Sequence, residues 1–284
     1  MKNKQINIEG QTVSYYEYGE KEKPALVLLH GMAGSAIYSF YELAELLADE
    51  FRLILIDQPG HGKTTAFLKE EDYLFSNLAV WYDKVLKNLL NSPFYLVGHS
   101  WGADSALHYT KTFGKKVKGL ILLDGAVTFP HFQEEMTQEF TFKSWEKYMN
   151  EAVYETWSDA IGEFRLYTKN WNSHKEKTLK TILRKGERYN LITSKFTILS
   201  IIKGFFSEPF YAVYPHIHTP VLLLLAENPH ELKAAREKGV MELQKNIEDV
   251  TVISIKGTGH MLHWDEPGQV ACLIREWIKI NPHK

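Results

Sequence analysis

The chain alternates short apolar runs with longer stretches of helical spacing. Two half-polar segments open it, at 6–8 and 13–18, and read as strands joined by the turn Glu9-Gly10-Gln11. Continuous apolar runs follow at 25–29, 53–56, 94–97, 120–123, 221–225 and 250–255. Runs this short without polar alternation are strands buried on both faces, as in a parallel sheet covered by helices. Between them the period changes. Phe40, Leu43, Ala44 and Leu47 fall at i, i+3, i+4 and i+7. Leu78, Tyr82, Val85 and Leu89 line one face of a second segment, and Val270, Leu273, Ile274 and Trp277 one face of a third. This alternation predicts an α/β fold: a doubly wound, mostly parallel sheet of about eight strands.

One stretch breaks the pattern. From 126 to 214 there are helix-like segments and no convincing strand, with aromatics throughout: Phe132, Phe140, Trp145, Tyr148, Trp157, Phe164, Tyr167, Trp171, Phe205 and Phe206. The stretch leaves after one core strand and returns at Pro215–Pro220 before the next. It reads as a helical cap inserted at the strand ends, with residues 1–125 and 215–284 forming the two parts of the core. Ligand sites in open α/β sheets lie at the carboxyl ends of the strands, so a cap there roofs the site. Most of its aromatics are expected to fill the cap's own core, and a few to face the pocket.

Composition narrows the function. The chain has 284 residues, 44% hydrophobic and 24% charged, enough for one large domain with an insertion. A net charge of −2 gives no electrostatic case for nucleic acid or an anionic membrane as partner. The single cysteine, Cys272, falls in an amphipathic helix and reads as an inert thiol. Met1–Ile6 holds no apolar leader, and the longest apolar run, 221–226, is too short to span a bilayer. A cytoplasmic protein with a small-molecule substrate is expected.

The candidate chemistry begins at Gly98-His99-Ser100-Trp101-Gly102, directly after the run 94–97. G-x-S-x-G between a strand and a helix holds its serine on a sharp, strained turn with the hydroxyl aimed out of the sheet. The close backbone approaches there require very small residues at both flanks. Ser100 is therefore the candidate nucleophile, and it needs a base to take its proton. His30, His61, His99, His260 and His263 all fall near strand ends. No ligand spacing among them supports a metal site, and no cofactor is expected. Gly62-Lys63-Thr64 glances at a phosphate loop, but the required earlier glycine would stand at 57, which is Asp57.

With the elbow, the alternation and the cap in place, the sequence resembles the α/β-hydrolase superfamily over essentially its whole length. The resemblance is most specific at His30-Gly31-Met32-Ala33-Gly34-Ser35, at Gly98–Gly102 and at Gly257-Thr258-Gly259-His260. Asp57-Gln58-Pro59-Gly60-His61-Gly62 also resembles the family's loop after its fourth strand. The resemblance implies a triad in the order Ser, acid, His, which makes His260 the base, with His263 as competitor. It implies an oxyanion hole from the backbone N–H groups of Met32 and Trp101, whose side chains are expected to line the acyl pocket. His30 and His61 would shape the oxyanion loop, and Asp57 would bond loop N–H groups.

The acid departs from the family pattern. The usual Gly-x-x-Asp turn after the seventh strand is here Ala226-Glu227-Asn228-Pro229, and Pro229 cannot orient an imidazole. Asp124, ending the preceding strand, is the favoured candidate; Glu227 follows it, and Glu231 is weaker. Asp104 and His108, four apart after the elbow, read as a polar pair rather than catalysts. The expected activity is a serine esterase acting on a small to medium, partly apolar substrate. A carbon–carbon hydrolase or lyase on the same triad, and a non-catalytic receptor with this fold, are the alternatives.

Overall fold

In the computed structural model, which describes residues 3–281, the apolar runs pair as expected. Met1 and Lys2, part of the segment read for a leader, lie outside the described residues. The first half of the chain comprises β1 (Asn3–Ile8), β2 (Gln11–Tyr18), β3 (Ala25–Leu29), α1 (Ala36–Leu47), β4 (Arg52–Ile56), α2 (Phe75–Leu89), β5 (Phe94–His99), α3 (Trp101–Phe113) and β6 (Val117–Leu123). The insertion holds α4 (Gln138–Glu151), β7 (Val153–Tyr154), α5 (Trp157–Phe164), α6 (Ser173–Leu179), β8 (Leu183–Lys185), β9 (Tyr189–Leu191) and α7 (Lys195–Ser207). β10 (Val221–Ala226), α8 (Lys233–Asn246), β11 (Val250–Ile255), α9 (Leu262–Asp265) and α10 (Pro267–Ile280) complete the core.

Eight strands form one sheet in the order β1-β2-β4-β3-β5-β6-β10-β11. β2 pairs antiparallel with β1 and β4, and the remaining pairs are parallel. The absence of polar alternation has a direct cause. On β3, Val27 and Leu29 feed one core and Leu26 and Leu28 the other; on β6, Leu120 and Leu122 face one side and Ile121 and Leu123 the opposite. Both faces are dry, so both sets must be apolar. α1 and α10 cover one face with the periodic residues that marked them; α2 and α3 cover the other.

The insertion differs from its expected form in two ways. It is not wholly helical: β7, β9 and β8 make a small antiparallel sheet. Strands of two or three residues are too short for alternation to register in sequence. Nor does it pack only within itself, because Ile198, Ile201, Ile202 and Phe205 of α7 pack into the core on the α2–α3 face of the main sheet. The remainder builds a second cluster from Tyr154, Phe164, Leu179 and Leu191, closed from below by Tyr38 and Trp264. An ion pair between the buried Lys175 of α6 and the half-buried Glu42 of α1 ties the two layers together.

Candidate active site

The site is assembled at the carboxyl ends of β3, β5, β6, β10 and β11, beneath the insertion. Ser100 follows β5 with φ 54° and ψ −126°, a backbone conformation that side chains other than hydrogen rarely adopt. The turn is over-determined. Ser100 donates its N–H to Leu123 O at 3.1 Å, and its own carbonyl accepts from Ala103 N at 2.7 Å as α3 begins. A Cβ at Gly98 would collide with the Gly102 carbonyl, and one at Gly102 with the Leu29 carbonyl. Both glycines are demanded by backbone crossing backbone.

The loop after β3 reaches the same point. A Cβ on Gly31 would stand 3.1 Å from the Ser100 Cβ, so the next residue, Met32, lies beside the serine. Trp101 opens α3, and the N–H groups of a helix's first turn have no partner within the helix. The loop is held from β4's side. Gln58 N–H donates to His30 Nε2 at 3.1 Å, and Ala33 N–H donates to His61 Nε2 at 3.1 Å. Each ring therefore carries its proton on Nδ1, which faces Gly31 O at 2.7 Å in His30 and Pro59 O at 3.0 Å in His61. Burial holds both rings neutral, pushing His61 down to about 4 and His30 well below its ordinary value. Asp57 accepts from Ala36 N at 2.9 Å and from Ser14 Oγ at 2.8 Å. Gln58 also donates to His30 O and accepts from Tyr82 Oη, a brace that carries no sequence motif.

His260 follows β11, and its Nδ1 lies 2.7 Å from Asp124 Oδ2. Its side chain is 52% exposed while that of Asp124 is 8% exposed, so one edge of the ring is held in protein and the other is open to the cavity. Asp124, at φ 44°, also accepts from Ala226 N at 3.0 Å, and Arg236 Nε stands 3.7 Å from its Oδ1. Burial would raise this carboxyl, but the His260 hydrogen bond, the Arg236 charge and the Ala226 N–H outweigh it and hold it below its ordinary value. Glu227 is engaged elsewhere: its Oε2 accepts from Gly257 N at 2.8 Å and braces the turn before His260. Glu231 is exposed in a short 3₁₀ turn.

His263 is fully buried against Phe40 and His99, and burial drives it down to about 3. His99 lies between the two, donating Nε2–H to His260 O at 3.0 Å. Asp104 and His108 are both buried on α3: Asp104 accepts from Ala126 N at 3.2 Å, and His108 stacks on Phe75. Cys272 is exposed on α10. Among the described residues no group of three or more His, Cys, Asp or Glu is placed to hold a metal ion. No helix among them is long and apolar enough to cross a membrane.

Ser100, His260, Met32 and Gly31 line one cavity of about 700 Å³. Its roof and walls include Trp145, Tyr148, Phe164 and Tyr167 from the insertion, with Tyr38 and Trp264 below. Among the described residues that line it, none is Lys, Arg, Asp or Glu. One expectation is corrected here. The Trp101 indole does not line the cavity but is fully buried against His61 and His30, because the first turn of α3 points it under the loop after β3. Sequence reading missed Arg236. From α8 it donates to the carbonyls of Glu227 at 3.2 Å, Asn228 at 2.9 Å and Pro229 at 3.0 Å, binding the β10 loop beside Asp124. No motif marks it, since its hydrogen-bond partners are backbone atoms.

Comparison with known proteins agrees with this architecture. A family model described as alpha/beta hydrolase fold matches residues 24–267. Human epoxide hydrolase 4 is 25% identical over 98% of this chain and 79% of its own length. The (E)-2-((N-methylformamido)methylene)succinate hydrolase of Acinetobacter baylyi is 30% identical over 44% of this chain and 46% of its own. The crystal structure of an E-2-(acetamidomethylene)succinate hydrolase superposes with a TM-score of 0.80 over 98% of both chains, at 19% identity.

Proposed function

Because the chain belongs to the alpha/beta hydrolase fold family, we propose that it is a serine hydrolase cleaving a small to medium, partly apolar ester or related acyl substrate. One observation carries the proposal: Ser100 and His260 line one cavity, and His260 Nδ1 is 2.7 Å from a buried carboxylate, Asp124. A proton held on Nδ1 by Asp124 leaves Nε2 with its lone pair free to act as base. Ser100 Oγ attacks the substrate carbonyl carbon as His260 Nε2 takes its proton. The N–H groups of Met32 and Trp101 receive the oxyanion, the second helped by the dipole of α3. His260 then protonates the leaving oxygen as the carbon–oxygen bond breaks. Water, deprotonated by the same nitrogen, attacks the acyl–Ser100 ester and releases the acid. No cofactor takes part in this reading.

The aromatic, uncharged wall supports an acyl group that is neutral and apolar. Burying a carboxylate there without a cation would cost several kcal/mol. The relatives named for succinate derivatives act on dicarboxylates by their names, and this wall favours a different acyl class. Similarity to an epoxide hydrolase does not carry that reaction here: the family resemblance implies an Asp nucleophile for that chemistry, and this chain has Ser100 at the elbow. The exposed, unpaired Cys272 fits a reducing compartment, and a cytoplasmic location is part of the proposal.

Hydrolysis of p-nitrophenyl esters of graded acyl length tests the assignment. The wild type turns over and Ser100→Ala does not. Asp124→Asn loses about 10³–10⁴ in kcat, as expected when a triad acid no longer fixes the imidazole tautomer. Glu227→Gln, whose amide oxygen can still accept from Gly257 N, stays within about tenfold. Wild type and Ser100→Ala equally inert across the series would remove ester hydrolysis from consideration.

A further inference from the structure

Asp265 is a buried carboxylate that the reaction above does not use, and its two oxygens point to different parts of the molecule. Oδ2 accepts from Gly259 N at 2.8 Å, the peptide immediately before His260. Oδ1 accepts from Thr168 Oγ1 at 2.6 Å and from Lys169 N at 3.0 Å, both in the insertion. Thr168 follows directly on Leu166 and Tyr167, which are part of the cavity wall. Neighbouring contacts run the same way: Asn170 Nδ2 donates to Trp264 O at 3.2 Å, and Lys169 pairs with Glu266 at 2.8 Å. One rigid carboxyl group thus ties the cavity wall to the loop carrying His260, across about a hundred residues of sequence.

We propose that Asp265 is a positioning residue that couples the wall at Leu166–Tyr167 to the placement of His260. The inference rests on the reading of His260 as the base. A carboxylate has four lone-pair sites and here satisfies three donors, two of them from the insertion. Displacing the wall pulls on Oδ1, and the fixed geometry of the carboxyl group transmits that pull to Gly259 through Oδ2. A substrate that fills the wall therefore also sets the imidazole. Acyl groups too short to reach Tyr167 would leave His260 held from one side less firmly, so the coupling favours larger acyl groups through kcat rather than through KM alone.

The test uses the full-length protein with Asp265→Asn and the milder Thr168→Val, which removes one hydroxyl on the insertion side and touches nothing in the His260 loop. Amide hydrogen exchange is followed at 166–170 and at 257–260. Thr168→Val is expected to speed exchange in both segments at least threefold. Acceleration confined to 166–170 overturns the coupling. Ester kinetics supply the second readout: Thr168→Val should lower kcat for the longest efficient acyl group about tenfold, with KM moved less than twofold and the acetyl ester nearly unaffected. Equal losses for short and long esters also overturn it. Reaction of Ser100 with a fluorophosphonate separates the two ideas. A wild type that exchanges as expected but never labels refutes the serine-hydrolase reading while leaving the Asp265 link between wall and loop in place.

Discussion

Ser100 sits in a conformation that costs free energy and that no side chain at this position needs for folding. Its φ of 54° with ψ −126° lies where only glycine is at ease, and it persists because Leu123, Gly102 and the start of α3 fix the turn. Strain of this kind is of order 1–3 kcal/mol. Ser100→Gly should therefore raise stability by about 1 kcal/mol, measured by urea unfolding, while abolishing ester turnover. A variant less stable than wild type would show that the turn is not strained. The glycines flanking Ser100 were legible in the sequence because their constraint is local and steric. Arg236 was not, because it recognises three backbone carbonyls that no residue type announces.

At the scale of elements, α7 decides whether the insertion is a lid or part of the body. The sequence reading placed it with the cap, because the chain leaves the sheet after β6 and returns before β10. In the fold, Ile198, Ile201 and Ile202 are fully buried in the same core as Leu29, Leu96 and Leu122. Truncating such a residue removes apolar contact and leaves a cavity, at about 2–5 kcal/mol. Ile201→Ala should lower the single global unfolding transition by that amount. A separate early transition for the insertion, with the sheet's own midpoint unchanged, would mean that α7 unfolds independently. The strands β7, β8 and β9 escaped the sequence reading for a different reason: two or three residues carry no period, and β7 pairs with a strand far along the chain, although β8 and β9 are joined by a short turn.

Across the whole molecule, burial of histidines makes acid the natural stress. His61 is pushed to about 4 and His108 and His263 to about 3, with His30 and His99 well below their ordinary value, all chiefly by burial. The folded state keeps these rings neutral, whereas the unfolded chain protonates them below about 6.5. Stability from this source is full above pH 6.5 and falls as pH drops toward the folded values, by about 1.4 kcal/mol per pH unit for each ring. Asp57 and Asp104, raised by burial, act in the opposite direction, but the lowered histidines, His131 among them, outnumber them. Asp124, held below 3.8, adds stability that is lost only as pH falls through its lower folded value. Urea midpoints should fall steeply from pH 6.5 to 4.5, and His108→Leu should flatten that slope by about one proton. A midpoint independent of pH in this window would contradict the buried neutral state.

The sequence by itself determined the fold class, the eight core strands, three of the helices over them by their period and the turn that carries Ser100 at the start of a fourth. Each of these depends on periodicity or on sterics within a few residues, and both are written into the order of residue types. Only the tertiary structure decided which carboxylate meets His260, since Asp124 and Glu227 both end neighbouring strands and only their angle of approach separates them. It also decided that the Trp101 indole turns into the core, that α7 belongs to the body, and that Asp265 joins wall to loop. Those facts come from contacts between segments far apart in the chain, and a linear pattern holds no record of the direction in which a side chain points once the strands are laid side by side.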